Sequence, residues 1–160
     1  MNKIKIAIAI PTYNRLDKLK FALEKIEAQD LDSRFELYCV ISNIGSKDGT
    51  AEFLDQLKSD KVKYVIWNKL EENIYLNWRR CAAAVPKEID WVWFHGDDDF
   101  LTDSQAIKGL VDVLVKEGDE KLSLIHVCQA RRSQKTGKTI RGDLFEMCNL
   151  MGYHEILGWM

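Results

Sequence analysis

Four short apolar runs, Ile4 to Ile10, Phe35 to Ser42, Val62 to Trp67 and Trp91 to Phe94, each end in a polar turn that leads into residues at helical spacing. That alternation leaves few folds open. Apolar runs without a polar alternation suit strands covered on both faces, the situation in a parallel sheet with helices on either side. The helical stripes are Leu16, Leu19, Leu23 and Ile26; Ala51, Leu54 and Leu57; Ile74, Trp78, Cys81, Ala82 and Val85; and Ile107, Leu110, Val111, Leu114 and Val115. Asn14 is the expected N-cap of the first helix, Pro86 ends the third, and Asp103 or Ser104 and Gly118 bracket the fourth. Leu122 to Val127 adds a strand, and the basic segment Arg131 to Arg141 reads as a hairpin with Lys135-Thr136-Gly137-Lys138 at its tip. The expected fold is α/β, a mostly parallel sheet flanked by helices, in one domain over residues 1–160. A hydrophobic content of 46% supplies one sizeable core, to which Trp67, Trp78, Trp91 and Trp93 are assigned, whereas Trp159 is a candidate for an acceptor surface.

A net charge of −2 gives no basic field for holding a nucleic acid, which is excluded as a partner. Cys39, Cys81, Cys128 and Cys148 show no CxxC spacing and follow no secretory signal, so reduced thiols in a cytoplasmic protein are expected. The opening apolar run is too short to cross a membrane.

Three polar segments follow the ends of strands, the edge where sheets of this class bind ligands. Asp97, Asp98 and Asp99 directly follow a buried aromatic strand. Taken alone they could be a solvated helix-capping loop, but three adjacent carboxylates repel, and hard oxygen donors at that edge suit Mg²⁺ or Mn²⁺. Pro11-Thr12-Tyr13-Asn14-Arg15 places a ring that can stack on a base beside an arginine that can face phosphate. Asn43, Ser46 and Asp48, in a turn permitted by Gly45 and Gly49, offer polar groups to a base or ribose.

In sequence order, Ile8-Ala9-Ile10-Pro11-Thr12-Tyr13-Asn14-Arg15, Ser46-Lys47-Asp48-Gly49-Thr50 and Asp97-Asp98-Asp99-Phe100-Leu101 resemble the signature segments of the family 2 glycosyltransferases, and the likeness spans essentially the whole chain. The resemblance implies a GT-A fold and an inverting, metal-dependent transfer of a sugar from a nucleotide-diphosphate donor, a UDP-sugar first among them, to a hydroxyl of a glycan or lipid-linked acceptor. It implies nucleotide-sugar contacts at Pro11, Thr12, Tyr13, Arg15, Asn43, Asp48, Asn73, Arg79, Asp97 and Asp98, with Mg²⁺ or Mn²⁺ on Asp97, Asp98 and Asp99. It further implies a setting in surface polysaccharide or lipopolysaccharide assembly, with the full-length enzyme associating peripherally with the inner membrane face. Two departures stand out. Asn43 replaces the aspartate that usually faces the base, and the acidic run aligns either as Asp97 with Asp99 or as Gly96 with Asp98. The family's catalytic base lies far beyond its metal motif, and the late carboxylates Asp143, Glu146 and Glu155 match no such context, so the base is expected beyond residue 160 and the acceptor half outside this chain. A non-catalytic nucleotide-sugar-binding module and a nucleotidyltransferase-like enzyme are the alternatives. An NAD-binding fold and a P-loop are excluded by the missing glycine patterns.

Overall fold

The computed structural model describes residues 3–69 and 73–117 and four short strands between 124 and 152. In chain order the elements are β1 (Ile4–Thr12), α1 (Leu16–Glu27), β2 (Phe35–Asn43), α2 (Thr50–Asp55), β3 (Val62–Asn68), α3 (Ile74–Ala83), β4 (Trp91–Phe94), α4 (Ala106–Glu117), β5 (Leu124–His126), β6 (Ala130–Arg132), β7 (Thr139–Arg141) and β8 (Asn149–Gly152). The main sheet runs β3-β2-β1-β4-β8-β5. Its first four strands are parallel, and β8 pairs antiparallel with both β4 and β5. The mostly parallel sheet is therefore as expected, with the insertion of β8 as the addition. β6 and β7 pair as the arms of the expected hairpin, whose 135–138 tip lies outside the described residues.

Side-chain size decides which helix covers which face. Ile6, Ile8 and Ile10 of β1 join Leu37, Cys39 and Ile41 of β2 on the face covered by α1, α2 and α4. Ala7 and Ala9 turn to the other face, where Val40, Cys81, Ala82 and Val85 meet them under α3. The small residues on that side let α3 lie close to the strands, as shown by the Cys81 thiol donating to the Val40 carbonyl at 3.3 Å. Each fully buried isoleucine contributes about 1.5–3 kcal/mol of apolar burial. The two thiols belong to opposite faces, and both are free and buried. Burial raises Cys39 well above the usual thiol range and pushes Cys81 up to about 12. Iodoacetamide at pH 8 is therefore expected to leave Cys39 and Cys81 unmodified in the native protein and to alkylate both in denaturant, as read by peptide mass spectrometry.

Several boundaries differ from expectation for identifiable reasons. β1 continues through Pro11 to Thr12. The Ala9 carbonyl accepts from His95 N at 3.0 Å, so odd-numbered residues of β1 face β4, and the ladder to β4 ends at Ala9. Pro11's missing N–H thus falls where no partner strand runs. Asn14 is not the N-cap of α1; Arg15 is, and it makes no side-chain cap. The capping acceptor is instead Asp48, whose Oδ2 takes the Leu16 N–H at 2.8 Å. α2 ends at Asp55, leaving Leu57 in the following turn. At the start of α4, Gln29 is the long-range clasp: nearly fully buried, it donates to the carbonyls of Lys25 and Asp103 and accepts the Ile107 N–H. Trp78 and Val115, assigned above to buried stripes, are 44% and 60% exposed. Trp67 and Trp91 are half-buried, and only Trp93 is a full core residue.

Candidate functional site

The chain passes from β1 to β2 and β3 on one side and returns to β4 on the other, so the carboxyl ends of β1 and β4 flank a switch in strand order. With Gln29 set aside, every buried polar side chain among the described residues collects at this edge: Thr12, Ser42, Asn43, Thr50, Asn77, His95 and Asp97. Buried polar groups persist where they are paired, and here the pairing is continuous. Thr12 Oγ1 donates to Asp97 Oδ2 at 2.8 Å. Asn77, on α3, donates to the Thr12 carbonyl at 3.2 Å and accepts from Ser42 Oγ at 2.5 Å.

A second network joins the loops after β1 and β2. Asn14 has φ 51°, a left-handed conformation that asparagine tolerates better than most residues. From there its N–H donates to Ser46 Oγ at 2.8 Å, and its Oδ1 accepts the Lys47 N–H at 2.7 Å. Ser46 donates in turn to Asn43 Oδ1, and Asn43 Nδ2 donates to Asn68 Oδ1 at 2.8 Å. The other oxygen of Asp48, Oδ1, accepts both the backbone N–H and the hydroxyl of Thr50. These bonds to the charged form draw the Asp48 pKa down against the opposing effect of burial. Asn43 and Asp48 are thus committed to loop geometry, while Tyr13 between the loops is 41% exposed. Replacing Asn14 with alanine removes the Lys47 bond and strains the backbone, with an expected cost of about 1–3 kcal/mol in urea unfolding. Glycine there relieves the strain and should cost about 1 kcal/mol less than alanine.

The acidic turn is unevenly used. Asp97 is 6% exposed and fixed by Thr12. Arg15 Nη1 donates to Asp97 Oδ1 and to Asp98 Oδ2, each at 3.0 Å, and Lys18 Nζ lies 3.5 Å from Asp98. The bond to Asp97 is the leading reason that the Arg15 pKa is raised. Asp99 accepts the Gly96 N–H at 3.2 Å. A Cβ at position 96 would stand 2.9 Å from Asp99 Oδ2 and 3.1 Å from Asp98 Oδ1, so glycine gives the two carboxylates their room. His95 is buried, and its Nδ1 lies 2.8 Å from the Gly96 carbonyl, which can only accept, so Nδ1 carries the proton. Burial lowers the His95 pKa, against the pull of Asp99.

Of the residues expected at the site, Thr12, Arg15, Asp97 and Asp98 converge, Pro11 lies buried beside them in β1, and Asn43 and Asp48 join through the loop network. Asn73, just ahead of α3, and Arg79, on it, are exposed. Ser42, Asn68, Asn77 and Lys18 belong to the same edge and were not anticipated as site residues. Ser42 carries a readable signal, a polar side chain in the last turns of an apolar strand; Asn77 is legible only once α3 is seen to lie over the strand ends.

Mg²⁺ commonly takes one or two carboxylates and completes its shell with water and substrate phosphate. Asp97 Oδ1 and Asp98 Oδ2 meet that requirement, since both lie 3.0 Å from one point, a guanidinium nitrogen. No three His, Cys, Asp or Glu side chains among the described residues are grouped to cage a metal by themselves. None of the described helices is long and apolar enough to cross a membrane.

The structure is similar to that of Staphylococcus aureus TarS residues 1–349 in complex with UDP-GlcNAc, with a TM-score of 0.73 at 14% identity over 97% of this chain and 47% of that one. It is also similar to the mannosyltransferase PcManGT of Pyrobaculum calidifontis in complex with GDP-Man and Mn²⁺, with a TM-score of 0.63 at 15% identity over 99% and 47% of the two chains. The GT-A fold implied by the resemblance is the fold found. In sequence, the chain is 30% identical over 125 residues to the uncharacterized glycosyltransferase YfnE of Bacillus subtilis, covering 78% of this chain and 29% of YfnE. It is 31% identical over 103 residues to the abequosyltransferase RfbV of Salmonella typhimurium, covering 64% and 31%. The chain thus spans under a third of these curated relatives and about half of the solved chains. The profile of glycosyl transferase family 2 matches residues 7–156, from the first buried strand past β8, and the chain belongs to that family.

Proposed function

We propose that this chain binds the donor of an inverting, metal-dependent glycosyltransferase, a nucleotide-diphosphate sugar, at the carboxyl ends of β1, β2 and β4. The observation that carries the reading is the pair of carboxylates, one buried and pinned by Thr12 and one half-exposed, converging beside Arg15. Tyr13 offers its open ring to the base, with Pro11 and Thr12 forming the floor beneath it. Asn43 and Asp48 act by fixing the loops through Ser46 and Leu16, and Arg15 faces the diphosphate. Asn73, just ahead of α3, and Arg79, on it, approach the donor. Asp97 and Asp98 hold Mg²⁺ or Mn²⁺, which when bound stabilises charge gathering on the departing nucleoside diphosphate. The bond from Thr12 keeps the Asp97 carboxylate aimed, so little reorganisation is needed as that charge develops. The base that deprotonates the acceptor hydroxyl lies outside the described residues.

PcManGT with GDP-Man and Mn²⁺, TarS with UDP-GlcNAc and the relative RfbV support a sugar-nucleotide donor, a UDP-sugar first among the candidates. We further propose, as the family resemblance implies, a glycan or lipid-linked acceptor in surface polysaccharide assembly, worked on from the cytoplasmic side of the membrane. The test is product analysis after incubation with UDP-, GDP-, CDP- and TDP-sugars. Nucleoside diphosphate and free sugar from slow hydrolysis of the donor, both abolished by EDTA, are expected. Nucleoside monophosphate or triphosphate as the product would support nucleotidyl chemistry and overturn the reading.

A further inference from the structure

We infer that Arg15 is a displaceable counter-cation that holds the Asp97 and Asp98 pair closed to a divalent metal until a diphosphate arrives, an inference that rests on the donor-site reading above. A single nitrogen, Arg15 Nη1, stands 3.0 Å from Asp97 Oδ1 and 3.0 Å from Asp98 Oδ2. Lys18 Nζ adds a second positive charge 3.5 Å from Asp98 Oδ2. Two carboxylates therefore face two cations, and the pair is already neutralised. A divalent ion binds carboxylate oxygen at roughly 2.1 Å, so an ion between these two oxygens would sit against the guanidinium that now holds them. Like charges at that range repel too strongly for both to stay. Arg15 is the partner able to leave: its side chain is 47% exposed, whereas that of Asp97 is 7% exposed and tied to Thr12.

A diphosphate supplies what the displaced arginine needs, a bidentate acceptor for its planar fork beside the start of α1. It also supplies the oxygens that complete the metal's shell. The diphosphate draws away the cation that opposes the metal, and the metal neutralises the carboxylates that repel the diphosphate, so reciprocal coupling follows. Arg15 is in this sense a positioning residue that sets the order of binding: weak metal binding alone, strong binding with nucleotide.

The test is free-Mn²⁺ electron paramagnetic resonance on the wild-type chain, Arg15→Gln and Arg15→Lys. Titrations are made with and without whichever of UDP, GDP, CDP and TDP binds best, and near-UV circular dichroism checks that each variant is folded. Arg15→Gln is expected to bind Mn²⁺ alone at least about tenfold more tightly than wild type and to lose most of the strengthening given by nucleotide. Arg15→Lys keeps the cation and should bind Mn²⁺ alone as weakly as wild type, an outcome that a purely structural role would not give. Equal Mn²⁺ affinity of wild type and Arg15→Gln without nucleotide, undetectable binding in both included, overturns the inference. The donor-site reading fails separately, if Mn²⁺ uptake by wild type in the presence of nucleotide is unchanged by Asp98→Asn.

Discussion

Asp98→Asn is expected to reduce metal-dependent nucleoside diphosphate binding by at least about 100-fold, above the 10–100-fold typical of residues that only support a metal's ligands. The fold should barely notice. Asp98 has a side-chain exposure of 46%, and its partners Arg15 and Lys18 are 47% and 48% exposed, so solvent screens both ion pairs. A stability change within about 0.5 kcal/mol follows. Asp97→Ala should differ in kind. Its side chain is 7% exposed and accepts the buried Thr12 hydroxyl, so truncation orphans that group and costs about 1–3 kcal/mol in addition to the loss of binding. Asp99→Ala, whose partner is the Gly96 N–H, is expected to retain metal-dependent binding within about threefold, since it lacks the bond to a metal ligand whose loss typically costs 10–100-fold. Urea unfolding and calorimetry on the three variants separate these roles. Equal loss of binding in all three would contradict the assignment of the metal to Asp97 and Asp98.

Asn77→Leu has the largest expected effect on stability. Asn77 is 2% exposed and joins α3 to two strands at once, through Ser42 Oγ and the Thr12 carbonyl. Leucine leaves both groups buried without a partner, at about 1–3 kcal/mol each, so a loss of roughly 2–5 kcal/mol is expected. The adjacent Thr12 and Asp97 bond should loosen with it, weakening nucleotide binding although Asn77 touches no ligand in the account above. Adding Ser42→Ala removes one orphan and should restore part of the loss, a non-additivity measurable in a double-mutant cycle. A loss under about 0.5 kcal/mol would mean that the pairing of α3 with the strand ends contributes little.

Residues with short-range pattern made the first two-thirds of the fold legible. In β1, unbroken apolarity shows burial on both faces, and the Ile and Ala alternation is the record of which helix lies on which side. β8 is different. Asn149–Gly152 is a short strand whose place between β4 and β5 depends on pairings far away in the chain, and nothing in its own residues announces them. The same distinction holds at the site. Asp97, Asp98 and the Pro11 to Arg15 loop are visible as motifs, but Asn14 was misread as a cap because its positive φ is held by Ser46 and Lys47, more than thirty residues on. In α3 the apolar character of Trp78 suggests a buried position, yet the buried stripe runs through Asn77, Cys81 and Ala82. There the helix lies over polar strand ends, and a polar residue is what the interior requires.

The central claim is a metal-dependent diphosphate site at the carboxyl edge of the sheet. Calorimetric titration of UDP, GDP, CDP and TDP into the metal-stripped chain, with and without Mn²⁺, tests it most directly. The account predicts that one diphosphate binds only when Mn²⁺ is present and that Asp98→Asn abolishes the heat. Binding of none of the four to the folded protein, or binding indifferent to both Mn²⁺ and Asp98, would contradict it.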